Sequence, residues 1–300
     1  MPRLDAATVL LQWAVGGLFF LWVTSRRREV GIGYGWLLRT TYGALAAISV
    51  LAGRALTPSA PRDALAALTA VAALAALAAS VVRRKAGVAG ERARRERRAA
   101  RVRAMVGERA GEANAGSAGS AAPAGSPRGG PDASVPEFRP ALDLVAPGIG
   151  LVGLVLAGVA AGGPDLLVVV RTIVGAAFLG AVSDAMLLGH WYLTQPGLSR
   201  APLLDLVRWL ALAWPLEIAV LLWPPGMVSV LSGTVEDGWN GVLGWMWVAC
   251  AVTTLVLCAA TRAALKERAY AAVMAATGLL YLAILTAFGT DLVARAILAG

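Results

Sequence analysis

The chain has 300 residues, 58% of them apolar and only 15% charged, and its formal net charge is +9. Soluble proteins carry roughly 45–50% apolar and about 25% charged residues, so the excess here has no globular interior to fill and is expected to face lipid. One histidine and two cysteines, Cys250 and Cys258 within one apolar run, exclude a structural zinc site, a histidine-rich metal transporter and a haem held by two histidines of one chain. No P-loop, dinucleotide fingerprint or serine-hydrolase elbow occurs in a strand–turn–helix setting.

Eight stretches approach the roughly 20 apolar residues that a bilayer core requires. In chain order they are Ala6–Val23, Leu37–Leu56, Ala64–Val82, Leu142–Ala161, Leu166–Leu188, Leu203–Leu222, Val242–Ala260 and Ala269–Phe288. The expected fold is all-α: a polytopic bundle of about eight spans, three and then five. The first stretch runs into Arg26-Arg27-Arg28 with no small-residue cleavage site, so it reads as a retained helix, not a signal peptide. Turn chemistry separates the others, as at Gly162-Gly163-Pro164, Gln195-Pro196-Gly197 and Pro224-Pro225-Gly226.

Between the two groups of spans, residues 83–140 are basic. Residues 83–112 are rich in Ala, Arg and Glu and read as a solvated helix, whereas 113–136 turn to Ala, Gly, Ser and Pro and read as a disordered linker. The expected domains are thus 1–82, 83–140 and 141–300. Twenty basic residues fall on one side of an alternating topology and four on the other, which puts residues 83–140 in the cytoplasm and both termini outside. The expected location is a cytoplasmic (inner) membrane, crossed many times. Anionic lipid is a candidate partner for the segment Arg83–Arg109, and no nucleic acid is expected, because no aromatic residue is interleaved for base stacking.

Charges at membrane depth are costly and mark candidate functional positions. Arg171 and Asp184 lie in the fifth span, Arg208 and Glu217 in the sixth. In an antiparallel hairpin Arg171 comes level with Glu217, and Asp184 with Arg208. Two interhelical ion pairs are the structural reading. Angular spacing limits it, since Arg171 and Asp184 are roughly 220° apart around their helix, and Arg208 and Glu217 roughly 180°. Pro215 is able to bend the sixth span, Arg39 is an alternative partner for Asp184, and the arginines are able to snorkel. The functional reading is a polar pathway in which Asp184 or Glu217 exchanges a proton. Asp184 also follows Ala176 and Gly180 at four-residue steps, a column that would admit a close neighbour.

A second cluster, His190, Trp191 and Tyr192, falls at the cytoplasmic interface, and beside the belt-residue reading it raises a haem or quinone contact. The run Gly189-His190-Trp191-Tyr192-Leu193-Thr194-Gln195, with Glu29-Val30-Gly31 and Gly278-Leu279-Leu280-Tyr281, resembles a pattern in a family of uncharacterised bacterial polytopic inner-membrane proteins. That resemblance implies a bacterial membrane protein and brings no activity. Two functions compete: a small-solute transporter or permease using the charges of the span 5–6 hairpin, and a non-catalytic subunit or assembly factor for a respiratory, haem or envelope complex. No nucleophile or metal constellation at depth suggests an intramembrane enzyme.

Overall fold

The computed structural model describes residues 5–86, 88, 96, 100, 137–160, 165–195, 198–224, 226–267 and 269–298. The helical and linker readings of residues 87–136 lie almost entirely outside the described residues, as does most of the basic run Arg83–Arg109. Among the described residues the regular structure is all helical: α1 (Ala6–Ser25), α2 (Ile32–Leu56), α3 (Ala60–Val82), α4 (Val145–Ala160), α5 (Asp165–Thr194), α6 (Ala201–Leu222), α7 (Met227–Leu231), α8 (Val242–Ala264) and α9 (Tyr270–Leu298). Short 3-10 turns cover Arg84–Ala86 and Pro140–Leu144.

Six of these helices are long and apolar enough to cross a membrane: α1, α3, α4 with its 3-10 lead-in, α5, α8 and α9. That composition is consistent with an integral membrane protein. The other two expected spans, α2 and α6, have the length, at 25 and 22 residues, but carry more polar groups. Arg39 and Arg54 interrupt α2; Asp205, Arg208 and Glu217 interrupt α6. The last helix extends ten residues past the expected end at Phe288, so Asp291 and Arg295 belong to α9 and not to a loop.

Helix α1 is the axis of the bundle, packing against α2, α4 and α5, with a lesser contact to α6. Its meeting with α5 is backbone to backbone. A Cβ on Gly16 would stand 1.8 Å from the Ala176 carbonyl oxygen, and one on Gly180 would stand 2.2 Å from the Gly16 carbonyl carbon. The column Ala176–Gly180–Asp184 therefore does receive a neighbour. Gly17 gives the same close access on the opposite flank, where the Tyr42 ring of α2 lies against it. Leu38, Leu179, Val182 and Leu206 close the core around these contacts, while α3, α8 and α9 turn Leu68, Val71, Val252, Val256, Leu282 and Leu285 outward.

Polar groups tie the loops at both ends. At one end Arg62 reaches Asp5 at 2.7 Å, Asp63 at 2.9 Å and the Thr57 carbonyl at 2.5 Å, joining the start of α1 to the α2–α3 turn. At the other end Arg26 and Arg27 meet Asp205 at 3.4 and 3.0 Å, and Arg200 donates to the carbonyls of Leu265, Glu267 and Ala269. Among the described residues, the loops that carry Arg26, Arg27, Arg200 and Lys266 thus meet at one end of the bundle.

Before α8, the Asp237 carboxylate accepts from the amides of Trp239, Gly241, Leu243 and Gly244 at 2.8–3.2 Å. Desolvation alone would raise its pKa; hydrogen bonds from Gly241, Trp239, Gly244 and Leu243 outweigh that, so the group sits below the usual aspartate range. A depressed native pKa gives stability that is present above the unfolded-state value of about 4 and is lost as pH falls through the folded value. Asp237→Asn is therefore expected to melt below the unsubstituted protein at neutral pH, with the gap closing in acid.

Packing at the α1–α5 contact has a direct check as well. Gly180→Ala should lower the melting temperature, by a destabilisation on the order of 1–3 kcal/mol, whereas Gly278→Ala, with nothing within 4 Å of its Cβ position, should not.

Candidate functional site

The most polar region at depth draws on four helices. Gln12 comes from α1, Arg171 and Gly175 from α5, Glu217 from α6, and Asp291 and Arg295 from α9. Arg171, Glu217 and Asp291 lie roughly 8–10 Å inside their helix ends, and Arg295 lies one turn nearer its end than Asp291. Arg295 closes on Asp291 one turn before it, its Nε 2.8 Å from both carboxylate oxygens, and its Nη2 donates to the Arg171 carbonyl at 3.1 Å. Gln12 Nε2 donates to Asp291 Oδ1 at 3.3 Å. Gly175 makes room for the group: a Cβ there would meet Gln12, Asp291 and Arg295 at 2.3–2.7 Å.

Glu217 faces the Asp291 carboxyl and the guanidinium groups of Arg295 and Arg171. It is fully buried and meets no donor while both acids are ionised, but it hydrogen-bonds the Asp291 carboxyl once one of the two carries a proton. The pair expected from hairpin depth is thus only half formed: Arg171 and Glu217 are neighbours without a direct bond. Arg171 instead sends Nε to the Val220 carbonyl at 2.8 Å and Nη2 to the Trp223 carbonyl at 2.7 Å. The last carbonyls of α6 have no helical donor, and a cation at a helix C-terminus is doubly favoured. Those carbonyls win the guanidinium.

The second expected pair, Asp184 with Arg208, is not formed. Arg208 is exposed on α6, while Asp184 is fully buried and takes 2.5 Å from the Tyr42 hydroxyl on Oδ1. Its Oδ2 has no partner among the described residues. Tyr34 donates to the Asp184 carbonyl at 3.3 Å, and Trp13 Nε1 donates to Ser183 Oγ at 2.9 Å. Nor does Arg39 turn to Asp184. It makes a two-armed ion pair with Asp143, Nε and Nη2 each 2.8 Å from an oxygen, and Phe138 stacks over it with the guanidinium carbon 4.4 Å from the ring centroid. Both partners of that pair are buried.

His190, Trp191 and Tyr192 diverge. His190 is exposed and its Nδ1 lies 3.0 Å from the Tyr281 hydroxyl on α9. Trp191 packs toward Tyr34 on α2, with ring centroids 6.0 Å apart. Tyr192 donates to the Ser199 carbonyl at 2.6 Å. Three consecutive side chains thus serve three different neighbours, and they do not line one site.

Sequence reasoning passed over Gln12, Tyr42, Asp143, Asp291 and Arg295. The one available signal was the i,i+4 spacing of Asp291 and Arg295, which lets opposite charges neutralise each other on one helix face. No protein family, curated protein or solved structure matches the chain.

The Arg39–Asp143 pair yields a stability test. Removing one partner of a buried ion pair strands the other charge and costs about 3–5 kcal/mol, whereas replacing both by apolar groups is far milder. Asp143→Asn should melt well below the unsubstituted protein, and the double substitution Arg39→Met with Asp143→Leu should recover much of the loss.

Proposed function

We propose that the chain spans a cytoplasmic membrane eight times, with α2 and α6 as the two more polar spans, and carries a small solute across in exchange for a proton held at Glu217. The observation that carries this reading is a fully buried carboxyl group that has no donor for its ionised form and faces a second carboxyl, Asp291, with which it can share a proton. A neutral carboxyl group tolerates that surrounding. An ionised one is expensive unless opposite charge is near, and the guanidinium groups of Arg171 and Arg295 are near but held by other acceptors. The ionised form of Glu217 has no direct donor and the protonated form can share its proton with Asp291, which suits a group that loads and releases a proton. Pro215, two residues before it, cannot bond back to the Ala211 carbonyl and gives α6 a joint beside the carboxyl.

A transporter suits the fold better than an intramembrane enzyme, because the buried polar residues are carboxyl, guanidinium and amide groups without a nucleophile aligned to a base. A second reading is favoured by His190, whose ring is exposed and whose Nδ1 is engaged by Tyr281. Nε2 is left to meet a haem iron or a quinone oxygen from the surrounding bilayer, as in a subunit or assembly factor of a respiratory complex.

The test uses proteoliposomes that enclose a pH-sensitive dye, challenged with a panel of amino acids, sugars, carboxylic acids and organic cations. At least one solute should drive proton movement, and Glu217→Gln should reduce that movement tenfold or more without lowering the melting temperature. Equal flux in the Glu217→Gln protein, or no proton-linked solute in the panel, contradicts the reading. A Soret band in the purified protein alongside a silent panel would favour the His190 alternative.

A further inference from the structure

At the end of the bundle that carries Arg26, Arg27 and Arg28, the turn after α1 and the first two turns of α2 enclose a pocket. Its walls include Arg28, Gly31, Ile32, Gly35, Arg39 and Phe138. Three sources of positive potential converge there. The first is the N-terminus of α2, a 25-residue helix whose N-cap is Gly31 and which receives no side-chain cap. Its leading amides have no helical acceptor, and the helix dipole places about half a positive charge at that point.

Arg39 is the second source. Asp143 holds Nε and Nη2, Phe138 covers one face, and Nη1 has no partner among the described residues although Arg39 is only 3% exposed. A Cβ on Gly35 would stand 2.7 Å from Nη1, so the side chain reaches back over Gly35 toward the start of its own helix. The unpartnered N–H group therefore lies about one turn, roughly 5.4 Å along the axis, from the free amides at Gly31. Glycine at position 35 is what permits this, since any side chain there would displace the guanidinium. Arg28 at the pocket rim is the third source, with its left-handed backbone (φ 51°) setting the turn.

Two carboxylates also face this region, and each is matched. Asp143 answers Arg39, and Glu137 meets Arg28 at 3.2 Å. What stays unmatched is the end of the helix dipole and the buried Arg39 Nη1 donor, while Glu137 shares the pocket wall with Arg28. Leu21, Val30 and Pro140 supply the apolar part of the lining.

We propose that this pocket binds a phosphate-type anion, with one oxygen on the α2 amides and another on Arg39 Nη1. The same chemistry is offered by inorganic phosphate from the aqueous side and by the headgroup of a phospholipid. The proposal does not depend on Glu217 or on transport.

Purified full-length protein in detergent is titrated with inorganic phosphate and, separately, with phosphatidylglycerol, with a phosphate-free diglucosyl diacylglycerol as control, and binding is read by native mass spectrometry and melting temperature. Phosphate binding alone supports a soluble anion as the source; binding of phosphatidylglycerol but not of free phosphate or the glycolipid supports a lipid headgroup. Arg28→Ala removes a cation from the rim and leaves the Glu137 carboxylate without it beside the site, so it should weaken binding about tenfold. Gly31→Asp places a carboxylate over the same amides at an N-cap whose backbone (φ −61°, ψ 153°) accepts any residue, and it should abolish binding while α2 remains capped. Absence of binding by both phosphate and phosphatidylglycerol overturns the proposal, as does equal affinity in the Arg28→Ala protein.

Discussion

The contact between α1 and α5 is the constraint on which the rest of the bundle depends. With Gly16 and Gly180 passing backbone against backbone, the two helices approach as closely as helices can. Everything polar at depth is placed by that crossing. One turn before Gly16, Gln12 is carried into reach of Asp291 across Gly175; one residue after it, Gly17 accepts the ring of Tyr42, whose hydroxyl then reaches Asp184. In a medium without water such groups must find partners inside the protein, and small residues at a crossing are the means of bringing partners close.

Two levels of buried acid result. Asp184 lies in the body of α5 beside an aromatic hydroxyl; Glu217 and Asp291 lie nearer one end beside two guanidinium groups. The backbone contact at Gly16, Ala176 and Gly180 lies between these levels along α1 and α5 and leaves no room for a side chain at the two glycines. Donor groups reach Asp291 at both oxygens, Asp184 at one and Glu217 at neither. That gradation singles out Glu217, beside Asp291, as the acid whose ionised form has the fewest donors.

Much of the fold was legible because apolar length and basic loop residues report on the bilayer and need no knowledge of partners. All eight expected stretches fall on helices, and the basic turns collect at one end. Partners were less legible, since they join residues that are distant in sequence. Asp143 looked like a polar residue at the edge of a span, and only its meeting with Arg39, 104 positions away, gives it a role. Hairpin depth brought Arg171 and Glu217 to the same level, yet depth carries no information about the open carbonyls at the end of α6, which compete for the guanidinium. The expected last span stops at Phe288, before Gly289-Thr290-Asp291, whereas α9 runs on to Leu298. Arg295, one turn on, neutralises Asp291 and lets the helix continue. His190, Trp191 and Tyr192 are adjacent in sequence but lie about 100° apart around a helix, so adjacency implied a cluster where the helix separates them.

The central claim is that Glu217 changes its protonation state within the folded protein. Infrared difference spectra across a pH step, recorded on the protein in a lipid bilayer, detect the carbonyl stretch of a protonated carboxylic acid directly. A protonated-carboxyl band that appears on acidification and is missing from the Glu217→Gln protein is the result expected here. An identical difference spectrum from the Glu217→Gln protein would contradict it.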